Sequence, residues 1–405
     1  MIKKILIEDL RVGMFVHDMD LSWINHPFLR NHFKVEDLET LKKIRDTRVR
    51  AIYIDTEKGL DVTGGQSDSE IRTQVQETMA SVAKSVPRGK TRSPLREERQ
   101  KAVMIQKEAA QVVSGLMEDV RLGKQIETKR LEPVVERMVN SVFRNQDALM
   151  GMLLIRDMDK YTFEHSVAVS VLLVTFAKHR GIAQELITQM GIGGLLHDIG
   201  KTRVPPEILN KPGRLTDQEF EIMRHHVVSS REILESAPGI SPITLAIAAQ
   251  HHERYDGSGY PKGLKGNEIS LHGQMAAIVD CYDAITADRC YHQGKPPHWV
   301  LGKLVEWSKF HFNPELVQHF IRCVGIYPVG SLVTLQSGRL GVVMESNLSD
   351  LLRPIVKLVY DKNRRQFLTP RILDLSRQAE PIDKITGSDD PDHYGIRLEV
   401  ALEAS

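Results

Sequence analysis

At 405 residues the chain is too long for one ordinary hydrophobic core, and its length predicts roughly two to four domains. Basic and acidic residues balance at a net charge of +1, so no global field draws the chain to a nucleic-acid polymer or an anionic membrane. Three scattered cysteines, Cys281, Cys290 and Cys323, form no CxxC pair, which argues against a disulfide framework or a zinc–thiolate site and suits a reducing compartment.

The opening MIKKILIEDLRVGMF acquires Glu8, Asp9 and Arg11 before an apolar segment develops, so no signal peptide is expected. No window holds eighteen uninterrupted apolar residues, which predicts no membrane span. The expectation is a cytoplasmic, multidomain protein. Residues 1–63 read as a small α+β domain, with strands at Ile5–Ile7 and Met14–Val16, a helix over Val35–Ile44 and a returning strand at Arg50–Asp55. Residues 64–97 turn polar and read as a linker, best marked by Pro87–Pro94. Residues 98–150 are helix-forming and charged, a helical connector whose stripe of Val113, Leu116, Met117 and Val120 packs on the next domain or pairs helices in a homodimer. Residues 151–325 are helical throughout, and residues 326–405 form a small β-rich segment ending in a polar tail.

The helical region holds most of the sixteen histidines. His165 lies near the start of an apolar helix, where a lone histidine is more often a hydrogen-bonded core residue than a ligand. His197 and Asp198 end a second helix in HDIGK, so the carboxylate can bridge two metals while the imidazole binds one. Lys201 returns to the same side, where a cation can hold phosphate or developing negative charge. The pairs His225–His226 and His251–His252 each fall on a predicted helix. Imidazole and carboxylate donors together suit iron, manganese or zinc better than magnesium or calcium. Asp280 and Asp283 place two carboxylates three apart on an apolar helix, an expensive arrangement unless paired or metal-bound. Ligation is favoured for Asp280; structural salt bridging stays open for Asp283.

The block HHERYDGSGYP, residues 251–261, follows with two glycines that break the helix. Taken together, the order of histidines and aspartates from 165 to 280, with HDIGK and HHERYDGSGYP, resembles the HD superfamily of metal-dependent phosphohydrolases and its HD-GYP subgroup. Residues 5–62, with GMFV and HPF, more loosely resemble a small domain of unknown function often found ahead of such catalytic domains.

The resemblance implies a mainly α-helical HD-type catalytic domain that hydrolyses the bacterial second messenger cyclic di-GMP to pGpG or GMP. It implies His165, His197, Asp198, His226, His251, His252 and Asp280 as ligands of two divalent transition metal ions, iron first and manganese next. His226 is chosen over His225 from its spacing to the Arg231-Glu-Ile-Leu segment, with Ser230 in place of the usual glycine. Asp198 and Lys201 carry the catalytic roles. Lys201, Arg289, Tyr260 and Asp283 are expected at the substrate, and Glu253 is expected to orient a ligand. Cys290 and His292 depart from the proline and basic residue usual at those positions, which implies weaker phosphate binding. A third metal would need a glutamate where Tyr161 stands, so two ions are expected. The loop is also a candidate docking point for diguanylate cyclase (GGDEF) domains. Two other readings stay open: an HD hydrolase of another nucleotide, and an inactive scaffold.

Overall fold

Short runs of alternating apolar residues build the N-terminal sheet. The computed structural model describes residues 1–19, 32–47, 49–84, 93–154, 161–213, 215–288, 294–347, 349–377 and 383–402, apart from the side chains of Lys84, Tyr161 and Thr162. Strands β1 (Ile2–Leu6), β2 (Phe15–Asp18), β3 (Phe33–Lys34), β4 (Ala51–Asp55) and β5 (Gln66–Ser67) form one antiparallel sheet in the order β3-β2-β4-β1-β5. Helix α1 (Leu38–Asp46) starts where the Asp37 carboxylate accepts the Thr40 amide at 2.7 Å. Its Leu41 and Ile44 close a core over Ile5, Val16, Ile52 and Ile54.

Helix α2 (Asp68–Lys84) occupies much of the stretch expected as a linker. Met79, Val82 and Ala83 give it an apolar stripe that packs into the main core, so local polarity on the opposite face misled the reading. Most of Pro87–Pro94, the strongest linker signal, lies outside the described residues.

Helices α3 (Leu95–Arg121) and α4 (Glu132–Met150) precede α5 (Tyr161–His179), α6 (Gln184–Leu196), α7 (Pro206–Leu209), α8 (Asp217–Arg224), α9 (His226–Glu235), α10 (Pro242–Gln250), α11 (Leu271–Thr286), α12 (Pro297–Trp307) and α13 (Pro314–Val324). One continuous core runs through them. Val113, Leu116 and Met117 join Val135, Leu172, Leu196, Ile247 and Phe320 in it, so the charged helices before residue 151 share the core of the region that follows.

The C-terminal segment is an antiparallel sheet of β6 (Leu332–Leu335), β7 (Arg339–Glu345), β8 (Ile355–Asp361), β9 (Gln366–Asp374) and β10 (Ile385–Asp389), ordered β10-β6-β7-β8-β9. The polar tail supplies β10 and the short helix α14 (Leu398–Leu402), which correct the expectation of a loose end. Strand alternation explains both faces: Leu332, Leu340 and Val342 pack with Ala401 and Leu402, while Val333, Val343 and Val356 pack on the other side.

Candidate metal centre

Helix ends, rather than helix interiors, deliver the polar residues to one point. His165 comes from the first turns of α5, His197 caps α6, and Asp198 opens the turn that follows. His226 is the first residue of α9, His251 caps α10, and His252 lies in the turn beyond it. Only Asp280 projects from mid-helix, on α11. The sequence reading had put both histidine pairs inside helices. A helix end frees adjacent side chains to diverge, which explains why His226 is buried while His225 beside it is exposed.

These seven residues are all buried. Three overlapping sets bring their donor atoms within 4.8 Å of one another: His226, His251 and His252; His165, His197 and Asp280; and His197, Asp198 and His251. Asp198 faces two ways. Its Oδ1 lies 3.2 Å from His226 Nε2 and 3.8 Å from His251 Nε2. Its Oδ2 lies 3.2 Å from His197 Nε2 and 3.7 Å from His165 Nε2.

Backbone carbonyls set the tautomers. His197 Nδ1 donates to the Gly194 carbonyl at 2.8 Å, His226 Nδ1 to Met223 at 2.6 Å, and His251 Nδ1 to Ala248 at 2.9 Å. A carbonyl only accepts, so each neutral ring keeps its proton on Nδ1 and turns a bare Nε2 lone pair to the centre. The Nε2 atoms of His197, His226 and His251 and the Oδ1 of Asp198 are buried without a hydrogen-bond partner. Acceptors facing acceptors in a buried space are costly, and a shared cation resolves the conflict. The donor set is imidazole and carboxylate without thiolate, which fits a divalent transition metal.

Electrostatics agree. Burial drives His251 down to about 3 and His252 well below the usual histidine range, keeping both neutral. Burial opposes the charge on Asp198, yet Lys201 and His197 hold its carboxyl well below the usual range. His197 moves the other way: burial disfavours its charge, but Asp198 beside it wins and raises its pKa. A metal therefore competes with a proton at His197.

Asp283, expected at the substrate, is buried with its Oδ2 2.7 Å from His165 Nδ1. Asp280 Oδ1 stands 3.1 Å from Nε2 of the same ring. The two carboxylates one helical turn apart thus grip both nitrogens of one imidazole, and Asp283 orients His165. Glu253, expected to orient a ligand, instead accepts the amides of Lys262 at 2.9 Å and Leu264 at 3.0 Å, tying down the loop after Tyr260. Tyr260, expected at the substrate, is buried and stacked on His252 with ring centroids 4.7 Å apart. Lys201 Nζ lies 2.5 Å from Asp198 Oδ2 and is partly exposed. Arg289, Cys290 and His292 lie outside the described residues, as does the side chain of Tyr161.

The supporting roles of Ser230, Gly200 and Arg224 are not visible in the sequence. The Ser230 hydroxyl accepts the Gly200 amide at 2.8 Å, joining the HDIGK turn to α9. Gly200 permits that approach, because a Cβ there would stand 2.0 Å from the His226 carbonyl oxygen. Arg224 lies with its guanidinium 4.5 Å from the Tyr260 ring centroid. A cavity of about 470 Å³, lined by Glu132, Glu136 and Glu185 among others, shares no residue with the centre.

Comparison with known proteins matches this architecture. The family described as HD domain matches residues 150–316, and one described as Domain of unknown function (DUF3391) matches residues 2–131. A cyclic di-GMP phosphodiesterase of Pseudomonas aeruginosa is 36% identical over 400 residues, spanning 98% of this chain and 94% of that protein. A cyclic di-GMP phosphodiesterase of Thermotoga maritima is 39% identical over 168 residues, 41% of this chain and 45% of that protein. A 3′3′-cGAMP-specific phosphodiesterase of Vibrio cholerae is 42% identical over 132 residues, 33% of this chain and 30% of that protein. With HDIGK and HHERYDGSGYP brought to one buried centre, and a relative matched almost end to end, the chain belongs to the HD-GYP family of cyclic di-GMP phosphodiesterases.

Proposed function

We propose that the chain hydrolyses a phosphodiester bond of cyclic di-GMP with the help of two divalent transition metal ions, iron first and manganese next. The observation that carries this reading is Asp198, whose two oxygens face two different histidine sets. His165, His197 and Asp280 would hold one ion, and His226, His251 and His252 the other, with Asp198 between them. Bound there, such ions supply concentrated positive charge and bring the pKa of water toward neutrality.

The chain's own residues do the rest. Asp198 stays ionised at neutral pH, and Asp280 does too: burial opposes its charge, but His165, His252 and His197 together hold its carboxyl well below the usual range. Lys201 stands at the exposed edge of the centre beside Asp198, placed to offset charge that builds on phosphoryl oxygens. Arg289 is assigned the same task from its motif position alone. A thiol nucleophile is disfavoured, since burial pushes Cys281 up to about 12.

The test is chromatography of products after anaerobic incubation of the metal-loaded full chain with cyclic di-GMP, 3′3′-cGAMP and a linear guanosine tetraphosphate. Preferential loss of cyclic di-GMP, yielding pGpG or GMP, is expected. Preference for 3′3′-cGAMP would redirect the substrate assignment. No product from fully loaded protein would leave a scaffold.

A further inference from the structure

Four of the five histidines at the centre have a fixed acceptor for Nδ1: a backbone carbonyl for His197, His226 and His251, and Asp283 for His165. His252 is the exception. Among the described residues its ring makes no hydrogen bond, and its Nδ1 lies 3.8 Å from Asp280 Oδ2, beyond bonding distance. Something else must set the angle of that ring.

The Tyr260 ring stacks on His252 at 27° between planes, and its backbone amide donates to the His252 carbonyl at 3.1 Å. Gly259 allows the chain to double back this tightly, because a Cβ there would stand 2.3 Å from the Arg254 nitrogen. Arg224 also contacts the Tyr260 ring, with its guanidinium 4.5 Å from the centroid. Glu221 anchors the guanidinium, accepting from Nη1 at 2.6 Å. Arg224 ends α8 two residues before His226, so one short segment supplies a candidate ligand and a support for another.

We propose that Arg224 is a positioning residue that clamps Tyr260 against His252 and so fixes how His252 presents its nitrogen to the centre. The inference rests on reading the cluster as a metal site, but not on the identity of the substrate. It also gives Tyr260 a task beside the substrate contact expected from its motif.

The test is a titration of the metal-free full chain with Mn²⁺ alone, reading free ion by electron paramagnetic resonance, with thermal melting as a check on folding. Arg224→Ala and Tyr260→Leu are each expected to weaken one of two Mn²⁺ sites by roughly tenfold or more while sparing the other. Tyr260→Phe, which keeps the ring, is expected to titrate like wild type. Arg224→Lys, which keeps charge but not the planar contact, is expected to fall between wild type and alanine. Because the two residues act in series, the double variant should be no weaker than Tyr260→Leu alone. If Tyr260→Leu does not fold, Arg224→Ala against Arg224→Lys carries the decision.

A wild-type titration curve for Arg224→Ala overturns the proposal, as does multiplication of the two losses in the double variant. A rise in KM for cyclic di-GMP with unchanged Mn²⁺ binding also overturns it, making Arg224 a substrate contact. If the variants weaken Mn²⁺ as expected and even wild type cleaves no cyclic di-GMP, the positioning role stands and the proposed function falls.

Discussion

Ser230 stands where the resemblance leads one to expect glycine, and its hydroxyl repays that difference by accepting the Gly200 amide in a buried contact. Ser230→Ala should cost about 1 kcal/mol, read as a lower denaturation midpoint, because the amide loses its partner. Gly200→Ala should be worse, at about 3 kcal/mol, since its methyl group collides with the His226 carbonyl and shifts a candidate ligand. At this scale the grouping of the seven candidate ligands was legible from the resemblance carried by HDIGK and HHERYDGSGYP, whereas a histidine such as His165 taken singly reads as a core residue. The supporting roles were not. Asp283, Glu253 and Tyr260 were each drawn to the centre by their motif, but what a side chain holds depends on which distant atom the fold brings opposite. For Asp283 that atom is on α5, and for Glu253 it is the backbone of its own loop.

Among elements, the loop after His252 is held by its own carboxylates. The Glu253 carboxylate accepts two loop amides, and Asp256 Oδ1 accepts the Ser258 amide at 3.0 Å and hydroxyl at 2.6 Å. Glu253→Ala should therefore speed hydrogen exchange at Lys262 and Leu264 by roughly tenfold to a hundredfold, the loss expected for charge-assisted bonds of about 1.5–3 kcal/mol. Exchange no faster than wild type would mean the loop is held by other contacts. Sustained apolar composition made the helices of residues 151–325 readable, and apolar alternation did the same for the β-rich segment that follows. Helix α2 was hidden by its polar face, and β10 by glycine and aspartate, whose strand is made by pairing with β6 across the intervening residues 336–384.

Across the whole molecule, the N-terminal unit is tied to the helical region by a buried charged knot. Glu306 on α12 accepts from Lys4 and from the Tyr53 hydroxyl, and Lys303 Nζ reaches its other oxygen at 2.9 Å. A weaker contact runs from Arg50 to Asp256 of the signature loop at 3.4 Å. Burial alone would raise Glu306, but Lys303, Lys4 and Tyr53 lower it from 4.5 to about 2. A depressed carboxyl stabilises the fold fully above its unfolded value and loses that contribution as pH falls through the folded one. The knot should thus hold above about pH 4.5 and fail progressively toward pH 2. Glu306→Gln should lower stability by about 3 kcal/mol at pH 7, and its deficit against wild type should vanish across that acid window in denaturant melts. No helix among the described residues is long and apolar enough to cross a membrane.

The division into an N-terminal α+β unit, a helical middle and a β-rich end was readable from period and composition. The packing of the Val113, Leu116 and Met117 stripe on the region that follows was readable too, but the residues it meets there were not, because packing partners far apart in sequence leave no local mark.

The central claim is that the Asp198 cluster holds metal for phosphodiester hydrolysis. Its most direct test is metal content and cyclic di-GMP turnover measured on the same anaerobic preparations of wild type and Asp198→Ala. The account predicts two equivalents of metal and turnover for wild type, with metal reduced and turnover lost by at least a thousandfold (about 4 kcal/mol) in the variant. Equal turnover by both proteins would contradict it.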